Sequence, residues 1–426
     1  MTADTRVDLR AVPSHDDPGA GHRVSGAADS HFACVVRAFA SMFPGRRFGG
    51  GALAVYVDGR PAVDVWTGWA DRGGHLPWTA DTAPMVFSAT KGMASTVIHR
   101  LADRGLIEYD VPVAEYWPEF GANGKSEMTV REVMRHAAGL SGLRGATQEN
   151  LLDHLVMEGR LAAAAPGRLL GKPAYHALTY GWLMSGLARA VTGKSMRVLF
   201  REELAQPLGT DGFHLGRPPA DGPTRVAEII MPQNIVSNPA VSHLINKVAN
   251  KVSGAYRSMY FAGVIGAVQG DVALLDAEMP AANGVVTARA LARMFGAIAN
   301  HGEIDGTQFL SQELVAGLSG RRSLRPDGNL GIPMSFHLGY HSLPFVMPGF
   351  GHVGLGGSLG WADPETGVAF AFVHNRLLTP FVLTDHAGMA ALGGLMRRAA
   401  ERVQKRGFRP VTEFGSPYSE PGAVAG

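Results

Sequence analysis

The chain has 426 residues, of which 46% are hydrophobic and 18% are charged. This balance supports a large buried core and excludes an intrinsically disordered chain. The formal net charge is only +2. No run of basic side chains forms a stripe along a phosphate backbone, so nucleic acid is not an expected partner.

The first residues, "MTADTRVDLRAVPSHDDPGAGHRV", contain no apolar run of the kind that a signal peptide needs, and no stretch elsewhere is apolar for the length of a membrane helix. These features predict a cytoplasmic protein without a membrane span, with a loose segment over residues 1–30. The single cysteine, Cys34, excludes an intramolecular disulfide, and its apolar neighbours predict a buried packing position.

Residues 52–57 and 62–67 are rich in β-forming side chains and flank the dipeptide Asp58-Gly59. This dipeptide favours a tight turn, so the two runs predict an antiparallel hairpin. A helix is predicted further on, because the apolar residues repeat with a helical period up to Gly105, which stands where a C-cap would. Ser88 should lie in the first turn of this helix.

The middle of the chain is predicted to be mostly helical. Thr129 and Glu132 have the spacing of a capping box, and a helical period ends at Gly193. Residues 217–280 mix helical spacing with Gly, Pro and Asn, and support no assignment. Strand patterns return near the end, followed by a last helix for which Asp385 is the predicted N-cap.

Strands near both ends and helices between them predict an α+β fold in which the two ends build one antiparallel sheet. We expect one domain over residues 31–405, with a sheet lobe formed by residues 31–105 and 335–405 and a helical lobe formed by residues 106–334. The site should lie in the cleft between the lobes. Residues 406–426 should form a loose tail.

Ser88 stands three residues before Lys91 in "FSATKGM". Residues three apart share a face of a helix, so the amine can reach the hydroxyl. A helix N-terminus beside an apolar wall disfavours the ammonium form, and a neutral amine can take the serine proton. By itself, the pair is weak evidence, because a serine N-cap followed by an exposed lysine is the more common arrangement.

Four stretches distinguish these interpretations because they occur together and in a fixed order. They are "FSATKGM", "MTVREVMRHAAGLSGL", "PAYHALTYGWL" and "FGHVGLGGSLGWADP". Together they resemble the serine β-lactamase and penicillin-binding-protein superfamily, in which S-x-x-K precedes a Tyr or Ser motif and a K-T-G-like strand. The resemblance covers residues 35–400 and is strongest to class C-like members, especially the family VIII carboxylesterases.

The resemblance implies a β-lactamase-like fold with Ser88 as the nucleophile. Tyr175 opens the second motif, and the resemblance implies that it exchanges protons with Lys91. Outside such a motif, a tyrosine is more often a buried aromatic residue with a satisfied hydroxyl. The resemblance also implies an oxyanion hole formed by the N–H groups of Ser88 and Leu355.

Two positions depart from the family pattern. Ala177 replaces the Asn of Y-x-N and removes an amide that would hold the substrate's own amide. His352, followed two residues later by Gly354, replaces the Lys of K-T-G, so a titratable imidazole stands in place of a permanent cation. We therefore expect poor lactam hydrolysis and a weak grip on a carboxylate. The expected substrate-contacting residues are His352, Gly354, His176 and Ala177.

The sequence gives less support to two other chemistries. "GGSLG" fits the G-x-S-x-G pentapeptide around Ser358, but that motif requires a strand, a sharp turn and a helix, and the residues after Ser358 predict strand and turn. The 16 histidines show no metal-ligand spacing, and no Gly-rich run opens a helix after a strand. Neither a metal nor a cofactor is expected.

These observations predict a serine hydrolase that cleaves small to medium carboxylic esters through an acyl-enzyme on Ser88. Three alternatives are kept. A transacylase would pass the acyl group to an alcohol or amine, with residues 255–295 as a dry acceptor pocket, and β-lactamase or peptidase activity is a lesser alternative. A non-catalytic binder on the same fold would tolerate loss of Lys91 or Tyr175, yet both are present. The oligomeric state is not predicted.

Overall fold

A computed structural model describes residues 24–45, 48–142, 145–230, 273–320, 323–343, 347–377, 382–409 and 411–414. In chain order, the strands are β1 Ser25–Asp29, β2 Gly50–Val57, β3 Arg60–Gly68, β4 Thr82–Ala83, β5 Phe213–Leu215, β6 Arg225–Val226, β7 Gly284–Val286, β8 Glu303–Ile304, β9 Thr307–Gln308, β10 Ser335–His337, β11 Tyr340–Leu343, β12 Met347–Val353, β13 Leu359–Asp363, β14 Val368–His374 and β15 Val411–Phe414. The α-helices are α1 Ala33–Ser41, α2 Thr90–Asp103, α3 Val113–Tyr116, α4 Val130–Met134, α5 Gln148–Leu152, α6 His154–Ala163, α7 Thr179–Thr192, α8 Met196–Leu199, α9 Ala288–Ala299, α10 Gln312–Leu318 and α11 Val382–Arg406.

A nine-stranded sheet lies at the centre of the fold, with the strand order β10-β11-β12-β13-β14-β2-β3-β1-β15. Every neighbouring pair in it is antiparallel. Strands from the beginning and the end of the chain therefore share one sheet. This confirms the predicted α+β class.

Helices cover both faces of the sheet, so β2 is buried along its whole length. Successive side chains of a strand point to opposite faces. Leu53 and Val55 pack with α1 and α11, whereas Ala54 and Tyr56 face α9. The expected lobe boundary therefore needs correction: α9 falls within residues 106–334, but it packs on the sheet rather than among the other helices.

The turn and the helix caps predicted from short sequence patterns are present in the structure. The β2–β3 turn has Asp58 at φ 48° and Gly59 at φ 72°, as a tight hairpin requires. The capping box of Thr129 and Glu132 is present, and α7 ends in a left-handed Gly193 at φ 71°. These predictions are confirmed, because each depends on bonds within a few residues.

Both segments that were expected to be loose contain a strand. β1 pairs with β3, and β15 pairs with β1 at the edge of the sheet. The expectation is therefore wrong for residues 25–29 and 411–414, since backbone pairing across the sheet stabilises them regardless of their composition. Residues 1–23 and 415–426 lie outside the described part of the chain.

Expectations for two single residues are also wrong. Cys34 is exposed, because α1 turns Val35, Val36 and Phe39 toward the sheet instead. α11 begins at Val382, so Asp385 lies inside the helix and is not its N-cap. Within the described ranges, no helix is long and apolar enough to cross a membrane.

Phe295 provides a test of how α9 packs on the sheet. Its side chain is buried and meets Tyr340 edge to face at 5.9 Å. Phe295→Ala should lower the free energy of unfolding by about 3–5 kcal/mol, because the cavity cannot collapse fully. Urea denaturation measures this loss. Leu155→Ala on α6, where the side chain is 50% exposed, should change stability by less than about 0.5 kcal/mol. An equal loss in the two variants would contradict the packing.

Candidate active site

A strained turn carries Ser88. It lies in the 3₁₀ turn Phe87–Ala89, just before α2, and Phe87 has φ 48°, which is unfavourable for a bulky residue. Thr90 holds this conformation, since its hydroxyl donates to the Phe87 carbonyl at 2.5 Å and accepts from the Gly284 N–H at 2.9 Å. Ser88 is half-buried, so its hydroxyl is accessible at the end of the turn.

Lys91 is completely buried beneath that hydroxyl. Its Nζ lies 3.1 Å from Ser88 Oγ and donates to the Ala281 carbonyl at 3.0 Å. Burial holds the pKa of Lys91 well below its usual value, because desolvation penalises the ammonium form. The alternative of a serine N-cap with an exposed lysine is excluded, as the N-cap of α2 is Ala89 and Lys91 has no exposed surface.

Tyr175 completes a group of three side chains. Lys91 Nζ lies 4.9 Å from its ring centroid. Burial has the largest effect on the pKa of Tyr175, and the nearby Ser88 side chain lowers that pKa. The ring stacks on Phe336 at a centroid distance of 5.4 Å. Burial raises the pKa of Tyr175, and the negative charge of Asp327 raises it further, so the phenol is neutral. The fold thus brings together the three residues predicted from sequence.

The end of β12 reaches the turn that carries Ser88. A Cβ on Gly354 would collide with the Val86 carbonyl oxygen, so only glycine permits this approach. β12 contacts the turn Phe87–Ala89, and Leu355 follows directly, half-buried. This arrangement supports an oxyanion hole formed by the N–H groups of Ser88 and Leu355, whose role stays a prediction.

His352 lies on β12 and is buried. Its Nδ1 is 3.1 Å from the Val353 carbonyl oxygen and therefore carries the proton, while Nε2 has no hydrogen-bond partner among the described residues. Burial lowers the pKa of His352 well below its usual value, and the neighbouring His341 and Lys91 lower it further. The imidazole is neutral, so the charge of the K-T-G lysine is missing at this position.

His176 and Ala177 do not line the site as expected. The N–H of Leu140 donates to His176 Nε2 at 3.0 Å, and His176 Nδ1 donates to the Ala174 carbonyl at 2.7 Å. Burial lowers the pKa of His176 to about 4. The ring is fully buried with both nitrogens hydrogen-bonded, which does not favour the expected substrate contact, and that contact stays a prediction. Ala177 is buried in the cluster that contains Tyr175, leaving almost no surface for a substrate.

The Ser358 side chain is hydrogen-bonded to the backbone of His374 at the end of β14. It is buried and followed by β13, not by a helix. Its hydroxyl accepts from the His374 N–H at 3.1 Å and lies 3.3 Å from the His374 carbonyl oxygen. The strand after Ser358 shows that the helix required by the G-x-S-x-G motif does not follow it, and the interpretation that Ser358 is not the nucleophile stays a prediction.

Sequence reasoning missed other residues around the site. His136 has φ 59°, accepts from the His176 N–H at 3.0 Å, and lies 5.1 Å from the Tyr175 ring. Asp327 accepts from the Tyr175 N–H. Neither residue belongs to a motif that predicts these contacts. Among the described residues, no group of three or more His, Cys, Asp or Glu is arranged to hold a metal ion.

Residues 33–393 match the Beta-lactamase family, and the chain belongs to this family. The fold and the family resemblance predicted from sequence are therefore confirmed.

Individual relatives are similar along the whole chain. Esterase/beta-lactamase LipL of Mycobacterium tuberculosis (strain ATCC 25618 / H37Rv) is 73% identical over 429 residues, covering 100% of both chains. A crystal structure of a family VIII carboxylesterase has a TM-score of 0.73 at 32% identity, and covers 89% of this chain and 99% of that chain. A penicillin-binding-protein homologue from Caulobacter crescentus has a TM-score of 0.71 at 32% identity, covering 87% and 99% of the two chains.

The neutral state of Lys91 has a consequence for stability. Between the lowered pKa of the folded state and the ordinary pKa of the unfolded state, the unfolded chain binds the extra proton. The stability of the protein relative to Lys91→Met should therefore increase as the pH rises toward 10, by up to about 1.4 kcal/mol per pH unit. Urea denaturation at several pH values measures this slope. The exposed Lys194→Met is the control and should give a curve parallel to that of the unsubstituted protein. Parallel curves for Lys91→Met would show that Lys91 stays charged.

Proposed function

We propose that this chain is a serine esterase in which Ser88 attacks the carbonyl carbon of a small or medium carboxylic ester. The observation that carries the proposal is the buried amine of Lys91, 3.1 Å from Ser88 Oγ. A neutral amine at this distance is a base, and the serine hydroxyl needs one to become a nucleophile. The names of the full-length relative and of the carboxylesterase of similar structure agree with this assignment.

The proposed proton path uses two neutral groups. Lys91 takes the proton of Ser88 as Oγ bonds to the carbonyl carbon, and the N–H groups of Ser88 and Leu355 stabilise the oxyanion. As the C–O bond breaks, the Tyr175 phenol donates its proton to the leaving alkoxide and regains one from the Lys91 ammonium. Water then attacks the acyl-enzyme, the acid leaves, and Ser88 is protonated again.

The surroundings of these residues favour an uncharged ester. His352 is neutral, so it offers no cation to a substrate carboxylate. Ala177 offers a buried methyl group where an amide would hold a peptide or lactam. Of residues 255–295, expected to form the acceptor pocket of a transacylase, residues 255–272 lie outside the described part of the chain.

Replacing Ser88 tests the nucleophile. Ser88→Ala should lower kcat for an ester by at least about 10⁴-fold, because the acyl-enzyme can no longer form. Steady-state kinetics measure the loss, and mass spectrometry of the protein treated with an active-site phosphonate should locate the adduct on Ser88. Ser358→Ala is the matched control and should keep activity within a few fold. Activity lost in Ser358→Ala and kept in Ser88→Ala would overturn the proposal.

The leaving group tests Tyr175. Tyr175→Phe should lower kcat for an alkyl ester by about 10²–10⁴-fold, since the alkoxide then lacks its proton donor. With a p-nitrophenyl ester the loss should be much smaller, because the leaving anion is already stable. Tyr109→Phe, at a half-buried tyrosine whose hydroxyl is hydrogen-bonded to His99, is the control. Equal losses for the two esters would contradict proton donation by Tyr175.

A further inference from the structure

The loop of residues 327–331 holds the backbone of Tyr175 on both sides. The Tyr175 N–H donates to both carboxylate oxygens of Asp327, at 3.1 and 3.0 Å. The side-chain amide of Asn329 donates to the Tyr175 carbonyl at 3.0 Å. The Gly328 N–H donates to the carbonyl of Pro173, two residues before Tyr175, at 3.0 Å. The position of Tyr175 is thus fixed by a segment far away in sequence.

The carboxylate of Asp327 is itself held rigidly. Asp327 is buried, with only 3% of the residue exposed. Its Oδ1 also accepts from the N–H groups of Asn329 at 2.9 Å and Leu330 at 2.8 Å. Bonds to an ionised acceptor are stronger than neutral ones, and each buried N–H would be left unpaired without it. The side chain therefore has one arrangement, in which it faces Tyr175.

Tyr175 depends on such support because it lies in no helix or strand; α7 begins only at Thr179. Proton transfer requires a hydrogen bond of good geometry, and a displacement of about 1 Å can lower a rate by about 10²-fold. A carboxylate that fixes the main chain also fixes where the phenol can reach. The charge of Asp327 contributes as well, because it raises the pKa of Tyr175 and keeps the phenol protonated.

We propose that Asp327 is a positioning residue for the esterase reaction: its carboxylate holds the Tyr175 backbone so that the phenol stays at Ser88. The inference rests on the proposed function, and specifically on proton donation by Tyr175. Asp327 touches no reacting atom, and its effect passes through Tyr175 alone.

A double-mutant cycle tests this dependence. Asp327→Ala should lower kcat for an alkyl ester by about 10- to 100-fold with KM changed less than about 3-fold, because a displaced phenol affects the reaction more than binding. In the Tyr175→Phe background, the same substitution should lower kcat by less than about 3-fold. Asp327→Asn keeps an acceptor oxygen of the same shape and should restore most of the activity.

Asp153→Ala is the matched control. Asp153 also accepts from backbone N–H groups, those of Leu155 at 3.0 Å and Val156 at 3.1 Å, but it is exposed and lies at the start of α6. Its substitution should leave kcat within about twofold, since it removes the same kind of bond away from Tyr175.

The outcomes separate the inference from the proposed function. An equal loss of kcat from Asp327→Ala in both backgrounds, or no loss in a folded variant, would overturn the positioning role. If Tyr175→Phe alone keeps full activity, the proposed proton donor is wrong instead. Should Asp327→Ala fail to fold, Asn329→Ala is used in the same cycle, because it removes only the bond to the Tyr175 carbonyl. An equal loss of kcat in both backgrounds, or no loss, would again overturn the positioning of Tyr175 by this loop.

Discussion

The removal of the Lys91 amine from water is the constraint on which the site depends. Its hydrogen-bonding neighbours are a hydroxyl and the Ala281 carbonyl, neither of which carries a charge. An ammonium there would lose its hydration without gaining a counter-ion, so burial lowers the pKa of Lys91 and favours the neutral amine. The nearby aromatic groups are neutral for the same reason, since burial opposes the ionisation of Tyr175 and the protonation of His352. The site is built to move protons between uncharged groups.

Close approach of the elements preserves this dry environment. Gly354 lets β12 contact the backbone before Ser88, and Gly92 lets α2 lie against the side chains of His352 and Phe295. A Cβ on Gly354 would collide with the Val86 carbonyl oxygen, and one on Gly92 would crowd the side chains of His352 and Phe295. The packing that buries Lys91 thus lowers its pKa. The strained turn at Phe87 persists because the Thr90 hydroxyl donates to the Phe87 carbonyl and itself accepts from the distant Gly284 N–H.

Membership of the Beta-lactamase family fixes the scaffold, whereas the departures from the family's motifs bear on what the site accepts. The third motif keeps the glycine that allows the close approach of β12 but replaces the lysine by His352. The second motif keeps Tyr175 but replaces the amide by Ala177. Neither position offers the lysine cation or the side-chain amide that the family pattern has there. The proposed preference for uncharged esters follows from this difference.

The sequence by itself determined features that depend on neighbouring residues: the Asp58-Gly59 turn, the caps at Thr129 and Gly193, and the spacing of Ser88 and Lys91. The four ordered motifs added Tyr175 through family resemblance. Tertiary structure alone decided the pairing of β1 with β15, the place of α9 on the sheet, the inward burial of His176 and the contact of Asp327 with Tyr175. Those features depend on hydrogen bonds and packing between residues far apart in the chain, and no local pattern encodes which distant partner a strand edge or a buried N–H will meet.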